Sequence, residues 1–217
     1  MNKRAVLVGA TGLTGMECLN LLLRDDYYTS VEIWVRRSTG ITHPKLTEMI
    51  IDFEKIHQID CTSVDHFYCC LGTTIAKAKT QANFYITDHD YVLECAKVAE
   101  RAKAEKFLYI SSLGANHNSR NFYLRTKGQV EESLKQTGIP SVIVFRPSML
   151  LGNRTEFRMG EKIGKAFMTL IQFMLIGSFK KYRGIQASKV AFAMSEEAKS
   201  SVKTGFRIIE SDGIQEY

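Results

Sequence analysis

Tyr123 and Lys127 stand four residues apart in the run Tyr-Leu-Arg-Thr-Lys, within a stretch of helical pattern. On a helix that spacing places both side chains on one face, a single turn apart. A phenol ordinarily titrates near about 10, and an ammonium beside it favours the phenolate and draws that value down. Such a tyrosine can give a proton to a carbonyl or take one from an alcohol. The lysine can in addition hold a ribose. Ser111 and Ser112 directly follow the apolar run 107–110, where a hydroxyl can hydrogen-bond a substrate oxygen. Ser111 is the first choice and Ser112 a close second, because the sequence does not fix which one points into a cleft. The same Tyr–Lys spacing occurs in many helices as a half-buried ring beside a solvated cation. Its weight here comes from its place after a strand end, since ligands of open α/β sheets sit beyond the carboxyl ends of the strands.

A second group of residues suits phosphate. Gly9-Ala10-Thr11-Gly12-Leu13-Thr14-Gly15 lies between an apolar run at 5–8 and a helical pattern from 13 to 24. Strand, glycine turn and helix in that order form a dinucleotide cradle: glycine lets the backbone turn tightly, and the N–H groups opening the helix face the anion. The spacing is G-x-x-G-x-x-G rather than the generic G-x-G-x-x-G. A ligand-free glycine turn is the plain alternative, and the position between strand and helix argues against it. The next apolar run, 31–35, ends at Arg36-Arg37. An acid about 20 residues past the glycines would meet a free 2′-hydroxyl. Two guanidiniums suit a 2′-phosphate instead, so NADP(H) is expected over NAD(H).

These residues need a scaffold, and the chain alternates short apolar runs with helical patterns. Strands are expected at 5–8, 31–35, 49–51, 65–70, 107–110, 142–145 and 206–209, and helices at 13–24, 88–104, 122–135 and 188–200. Such alternation predicts a Rossmann-like doubly wound parallel α/β sheet with helices on both faces. One NAD(P)-binding domain is expected over 1–217, with a core at 1–147 and a small substrate-side elaboration at 148–217. The stripe Ile163, Phe167, Leu170, Ile171, Met174, Leu175 has helical spacing. It reads as a core helix over the cleft, with a homodimer, protein-partner or membrane-surface face as the alternative.

Composition removes other classes. The 217 residues carry 29 Lys+Arg and 23 Asp+Glu, a net charge of +6, with 45% hydrophobic residues. Disorder, collagen and coiled coil are excluded. The basic residues are scattered, so nucleic acid is not indicated. Cys18, Cys61, Cys69, Cys70 and Cys95 match no metal spacing and read as reduced thiols, and the histidines show no ligand pattern; no metal is expected. The longest apolar stretch, 166–176, is too short to span a bilayer. A cytoplasmic protein is expected.

Taken in order, the glycine loop, the serine pair and the Tyr–Lys pair resemble the short-chain dehydrogenase/reductase superfamily in its atypical branch, and within it the Tat-interactive-protein-like group. The likeness includes Val35-Arg36-Arg37, Cys69-Cys70-Leu71-Gly72-Thr73-Thr74, Ser111-Ser112-Leu113-Gly114-Ala115, Lys127-Gly128 and Phe145-Arg146-Pro147, and continues to Arg158-Met159-Gly160-Glu161. The resemblance implies an NADPH-binding Rossmann domain. Thr11, Gly12, Leu13 and Thr14 would line the pyrophosphate, and Arg36 and Arg37 would hold the adenosine phosphate. Leu71 and Gly72 would pack by the adenine side and ribose. Tyr123 would move the proton with Lys127 as its partner. Leu150 would approach the nicotinamide, and Arg158 would reach cofactor or substrate. The activity expected is NADP(H)-dependent oxidation or reduction of a small carbonyl or alcohol. A second reading is a cofactor-binding regulator or redox sensor acting through a protein partner. A sugar-nucleotide epimerase is a weaker third, because such enzymes usually need a larger C-terminal substrate domain.

Overall fold

The computed structural model describes residues 2–152, 183–201 and 204–217. Arg158 and the apolar stripe at 163–176 lie outside the described residues. The strands are β1 (Lys3–Val8), β2 (Tyr28–Val35), β3 (Leu46–Ile50), β4 (His66–Cys69), β5 (Lys106–Ile110), β6 (Ser141–Arg146), the short pair β7 (Leu150–Leu151) and β8 (Ile185–Gln186), and β9 (Gly205–Glu210). The helices are α1 (Leu13–Arg24), α2 (Ile75–Ala78), α3 (Gln81–Tyr85), α4 (Tyr91–Arg101), α5 (Phe122–Leu134), α6 (Ala187–Lys199) and α7 (Ser211–Gln215). To these are added a 3-10 helix at Phe53–Gln58 and a π-helical turn at Ile86–Asp90.

Seven strands form one sheet in the order β3-β2-β1-β4-β5-β6-β9, and every pairing in it is parallel. β1 lies in the interior of the sheet, and its last four residues are buried. Alternate side chains of a strand point to opposite faces. Ala5 and Leu7 accordingly join Cys18, Leu19 and Leu22 of α1 with Val190 and Met194 of α6. Val6 and Val8 join Val92, Cys95 and Val98 of α4 with Val130 and Leu134 of α5. Helices therefore cover both faces, and the strands read as continuous apolar runs because both sides are dry. The strand order reverses between β1 and β4, which opens a crevice beyond their carboxyl ends.

α6 and β9 fall within the residues assigned to the C-terminal elaboration, yet they belong to the main sheet and one of its helix layers. Lys106 binds them in: its buried ammonium donates to the carbonyls of Glu197 (2.8 Å), Ala198 (2.8 Å) and Ser200 (2.6 Å). A cation at a helix C-terminus satisfies the carbonyls that no later turn reaches. The helix expected at 88–104 begins at Tyr91, and the π-helical turn before it holds Asp88 in a buried position. α2 and α3 have four and five residues, too few for apolar periodicity to mark them.

Candidate functional site

The glycine loop closes tightly on the end of β4. Gly9 has φ of +84°, and a Cβ on it would lie 2.5 Å from the Cys70 carbonyl oxygen. A Cβ on Gly15 would lie 2.0 Å from the Gly9 carbonyl oxygen, so the first turn of α1 rests directly on the loop. Gly12 is the N-cap, its N–H donates to Gly9 at 2.9 Å, and no side chain caps the helix. No acidic residue occupies the first turn, and the Thr14 hydroxyl is buried with no partner among the described residues. An uncapped helix start with an orphaned hydroxyl and a partial positive charge fits a phosphate oxygen. Thr11 is exposed at the loop tip. Leu13 packs on the segment after β7, where a Cβ on Gly152 would come within 2.8 Å of it. That contact brings the half-buried Leu150 strand to the same rim. Arg36 and Arg37 are exposed just past β2 and make no hydrogen bond or ion pair among the described residues.

Across the crevice, α5 presents the Tyr–Lys pair. Asn121 caps the helix, its side chain accepting the Leu124 N–H. Lys127 is 3% exposed; its Nζ lies 2.8 Å from Asp88 Oδ1 and donates to the Tyr109 hydroxyl at 3.1 Å. Burial alone would push Lys127 down. Tyr109, Asp88 and Tyr123 together outweigh it and hold the ammonium charged well above the usual lysine range. Burial drives the Tyr109 phenol up, with the Lys127 charge opposing it. Asp88, 1% exposed, also accepts the Thr73 N–H at 2.7 Å. Gly72, beside Thr73, is so close that its Cβ would sit 3.5 Å from Asp88 and 3.9 Å from Lys127. Leu71 packs, half-buried, against the apolar layer below. Tyr123 is half-buried, with its ring 5.7 Å from that of Phe84, and its hydroxyl has no hydrogen-bond partner among the described residues.

The two serines differ. Ser111 turns inward and donates to Glu131 Oε1 at 2.5 Å; the same buried carboxylate takes Arg146 at 3.0 and 2.5 Å, and Arg146 reaches Glu210 at 3.4 Å. Ser112 is half-buried and makes one long contact, 3.4 Å to the Leu113 carbonyl. Just past the end of β5, Ser111 is committed to Glu131 on α5, whereas the Ser112 hydroxyl makes no bond to another side chain among the described residues. Sequence reasoning missed Asp88, Tyr109 and Glu131. The run Thr-Asp-His-Asp at 87–90 looks like an exposed helix start, and nothing in it marks one carboxylate as buried. Among the described residues, no group of three or more His, Cys, Asp or Glu could hold a metal ion, and no helix is long and apolar enough to cross a membrane.

A family described as NAD(P)H-binding matches residues 9–172. Among similar proteins, Protein HTATIP2 of Rattus norvegicus is 33% identical over 171 residues, 76% of this chain and 70% of that one. Protein FMP52, mitochondrial, of Candida glabrata is 30% identical over 226 residues, covering 98% of this chain and 94% of its own. The fold is shared with UDP-N-acetylglucosamine 4-epimerase from Methanobrevibacter ruminantium M1, solved with UDP-N-acetylmuramic acid, at a TM-score of 0.71 and 18% identity over 96% of this chain and 76% of that one. It is shared also with human epimerase family protein SDR39U1 with NADPH, at 0.65 and 16%, over 95% and 72%. Seven parallel strands, the glycine loop at their switch point and these likenesses agree that the chain belongs to the NAD(P)H-binding family, alongside the HTATIP2 and FMP52 proteins.

Proposed function

We propose that the protein is an NADP(H)-dependent oxidoreductase of the atypical short-chain dehydrogenase/reductase type, acting on a small carbonyl or alcohol. The observation that carries this reading is the short path between cradle and Tyr–Lys face. Gly9 abuts Cys70, and two residues further on Gly72 abuts Lys127, so one loop borders both. NADP(H), when bound, supplies or accepts the hydride. The N–H groups at the start of α1 and the Thr14 hydroxyl receive the pyrophosphate, with Gly9, Thr11, Gly12 and Gly15 giving it backbone access. Arg36 and Arg37 take the 2′-phosphate through bidentate, charge-assisted contacts. Leu71 and Gly72 border the ribose, and Leu150 borders the ring. Tyr123 transfers the proton at its hydroxyl with Lys127 as its partner, and Ser112 orients the substrate oxygen. The role expected of Arg158 falls on a residue outside those described.

Calorimetry with NADPH and NADH, followed by turnover on a panel of aldehydes, ketones and alcohols, tests this. NADPH binds more tightly, and Tyr123→Phe abolishes turnover while keeping cofactor affinity. Equal turnover by wild type and Tyr123→Phe rejects the role of the phenol. A regulator that reads the cofactor through a protein partner would share the binding and show no turnover; its proposed face, 163–176, lies outside the described residues. All five cysteines are free thiols, which suits a reducing compartment. We place the protein in the cytoplasm, and the mitochondrial names of the FMP52 relatives make the mitochondrion the alternative that fractionation decides.

A further inference from the structure

We infer that Asp88 is a positioning residue, clamping Lys127 in its charged form and tying it to the loop that borders the cofactor cradle. The geometry is a buried fork. One carboxylate oxygen lies 2.8 Å from Lys127 Nζ, and the other takes the Thr73 N–H at 2.7 Å. Both side chains are almost wholly out of water. An ammonium in such a place is stable only when paired, and removing its partner leaves an uncompensated buried charge. The other groups facing Lys127 are the Tyr109 hydroxyl from β5 and Tyr123 from its own helix. Both are phenols, and the carboxylate paired with the ammonium is Asp88. His89 and Asp90, next in sequence, are not part of the fork: they pair with one another at 2.8 Å, and His89 stacks on Tyr85 at 4.3 Å.

The π-helical turn at Ile86–Asp90 gives the fork its reach. It carries a carboxylate from the front of α4 to a lysine on α5 and to the backbone after β4 at once. A π-turn departs from ordinary helical hydrogen bonding and is often found where a side chain has a special task. No hydrogen bond joins Asp88 to the Tyr123 hydroxyl among the described residues; Asp88 acts through Lys127. Its service to catalysis rests on the oxidoreductase reading above, and its effect on Lys127 does not.

The test therefore needs neither cofactor nor substrate. The full-length protein labelled with ¹³C at lysine Cε is titrated by NMR, with Lys127→Arg assigning the resonance. In wild type, Lys127 keeps its proton above the ordinary lysine range. In Asp88→Asn its midpoint falls by about two units, a hundredfold loss of proton affinity. Asp88→Glu, which keeps the charge, restores most of the shift. A midpoint in Asp88→Asn within about 0.3 units of wild type overturns the inference. Should Asp88→Asn fail to fold, the wild-type titration decides: a Lys127 that loses its proton at or below the ordinary lysine value overturns the clamp, and one that holds it above that value supports it. Calorimetry with NADPH on the same samples reports on the cofactor reading separately.

Discussion

Replacing Gly15 by alanine probes the cradle at its tightest point. The added Cβ would lie 2.0 Å from the Gly9 carbonyl oxygen and 2.7 Å from its carbonyl carbon, whereas a real Cβ keeps at least 3.0 Å away. Both obstructing atoms are backbone, so no side-chain rotation relieves the contact. Loop and helix must separate by about 1 Å, the difference between those two distances. Overpacking of this kind costs about 2 kcal/mol, which for a chain of this size lowers Tm by about 6 °C. The larger effect falls on binding. The same movement carries the N–H groups of α1 off the pyrophosphate, and losing one or two charge-assisted hydrogen bonds costs about 3 kcal/mol, or roughly a hundredfold in Kd. Isothermal calorimetry with NADPH, paired with a thermal melt, reads both. Gly205→Ala is the control: φ there is +100° but nothing lies within 4 Å of the new Cβ. It carries backbone strain of about 1 kcal/mol and leaves Kd unchanged. A Gly15→Ala protein that binds NADPH within about threefold of wild type would refute the placement of the phosphates.

Three further outcomes follow from the same structure. Arg36→Ser with Arg37→Ser weakens NADPH by about tenfold to a hundredfold and leaves NADH unaffected, as parallel calorimetry reads; equal losses for both nucleotides contradict the assignment. Glu131→Gln strips the buried partner from Arg146 and Ser111, costs about 3 kcal/mol and lowers Tm by about 10 °C in a calorimetric scan. Burial, helped by the charges of Lys106 and Lys3, depresses His66 from 6.5 to about 3. Between those values the unfolded chain binds a proton that the native chain refuses. The stability is fully present above pH 6.5 and is lost as pH falls toward 3, by about 1.4 kcal/mol per unit. Urea melts from about pH 4 to about pH 7 show that slope in wild type and a flatter one in His66→Gln.

Much of the fold was legible because its signals are local. A β-run, a glycine turn and an apolar-faced helix at 3–24 are written in consecutive residues, and the structure places the α1 boundaries at Leu13 and Arg24 as the pattern requires. The parallel sheet followed from alternation alone. The inward face of Ser111 could not be read in the same way, because its partner Glu131 is twenty residues away and reaches it only once α5 has packed. Asp88 was hidden for a related reason. Charge is normally a mark of solvent, and this carboxylate is buried only because Lys127 and the Thr73 N–H await it on two other elements. Short elements such as α2 and α3 lack the length for periodicity, and β9 read as a strand without revealing that it would join the main sheet beside β6. Local chemistry thus nominated the cradle and the Tyr–Lys pair, while the partners that set their charge state depend on tertiary contacts.

The most direct test of the central claim is a crystal structure of the protein with NADPH. The expected result has the pyrophosphate over the N–H groups of Leu13 and Thr14, the 2′-phosphate between Arg36 and Arg37, and the nicotinamide facing Ser112 and the Tyr123 hydroxyl. A nucleotide seated elsewhere, or a ring turned away from Tyr123, would contradict it.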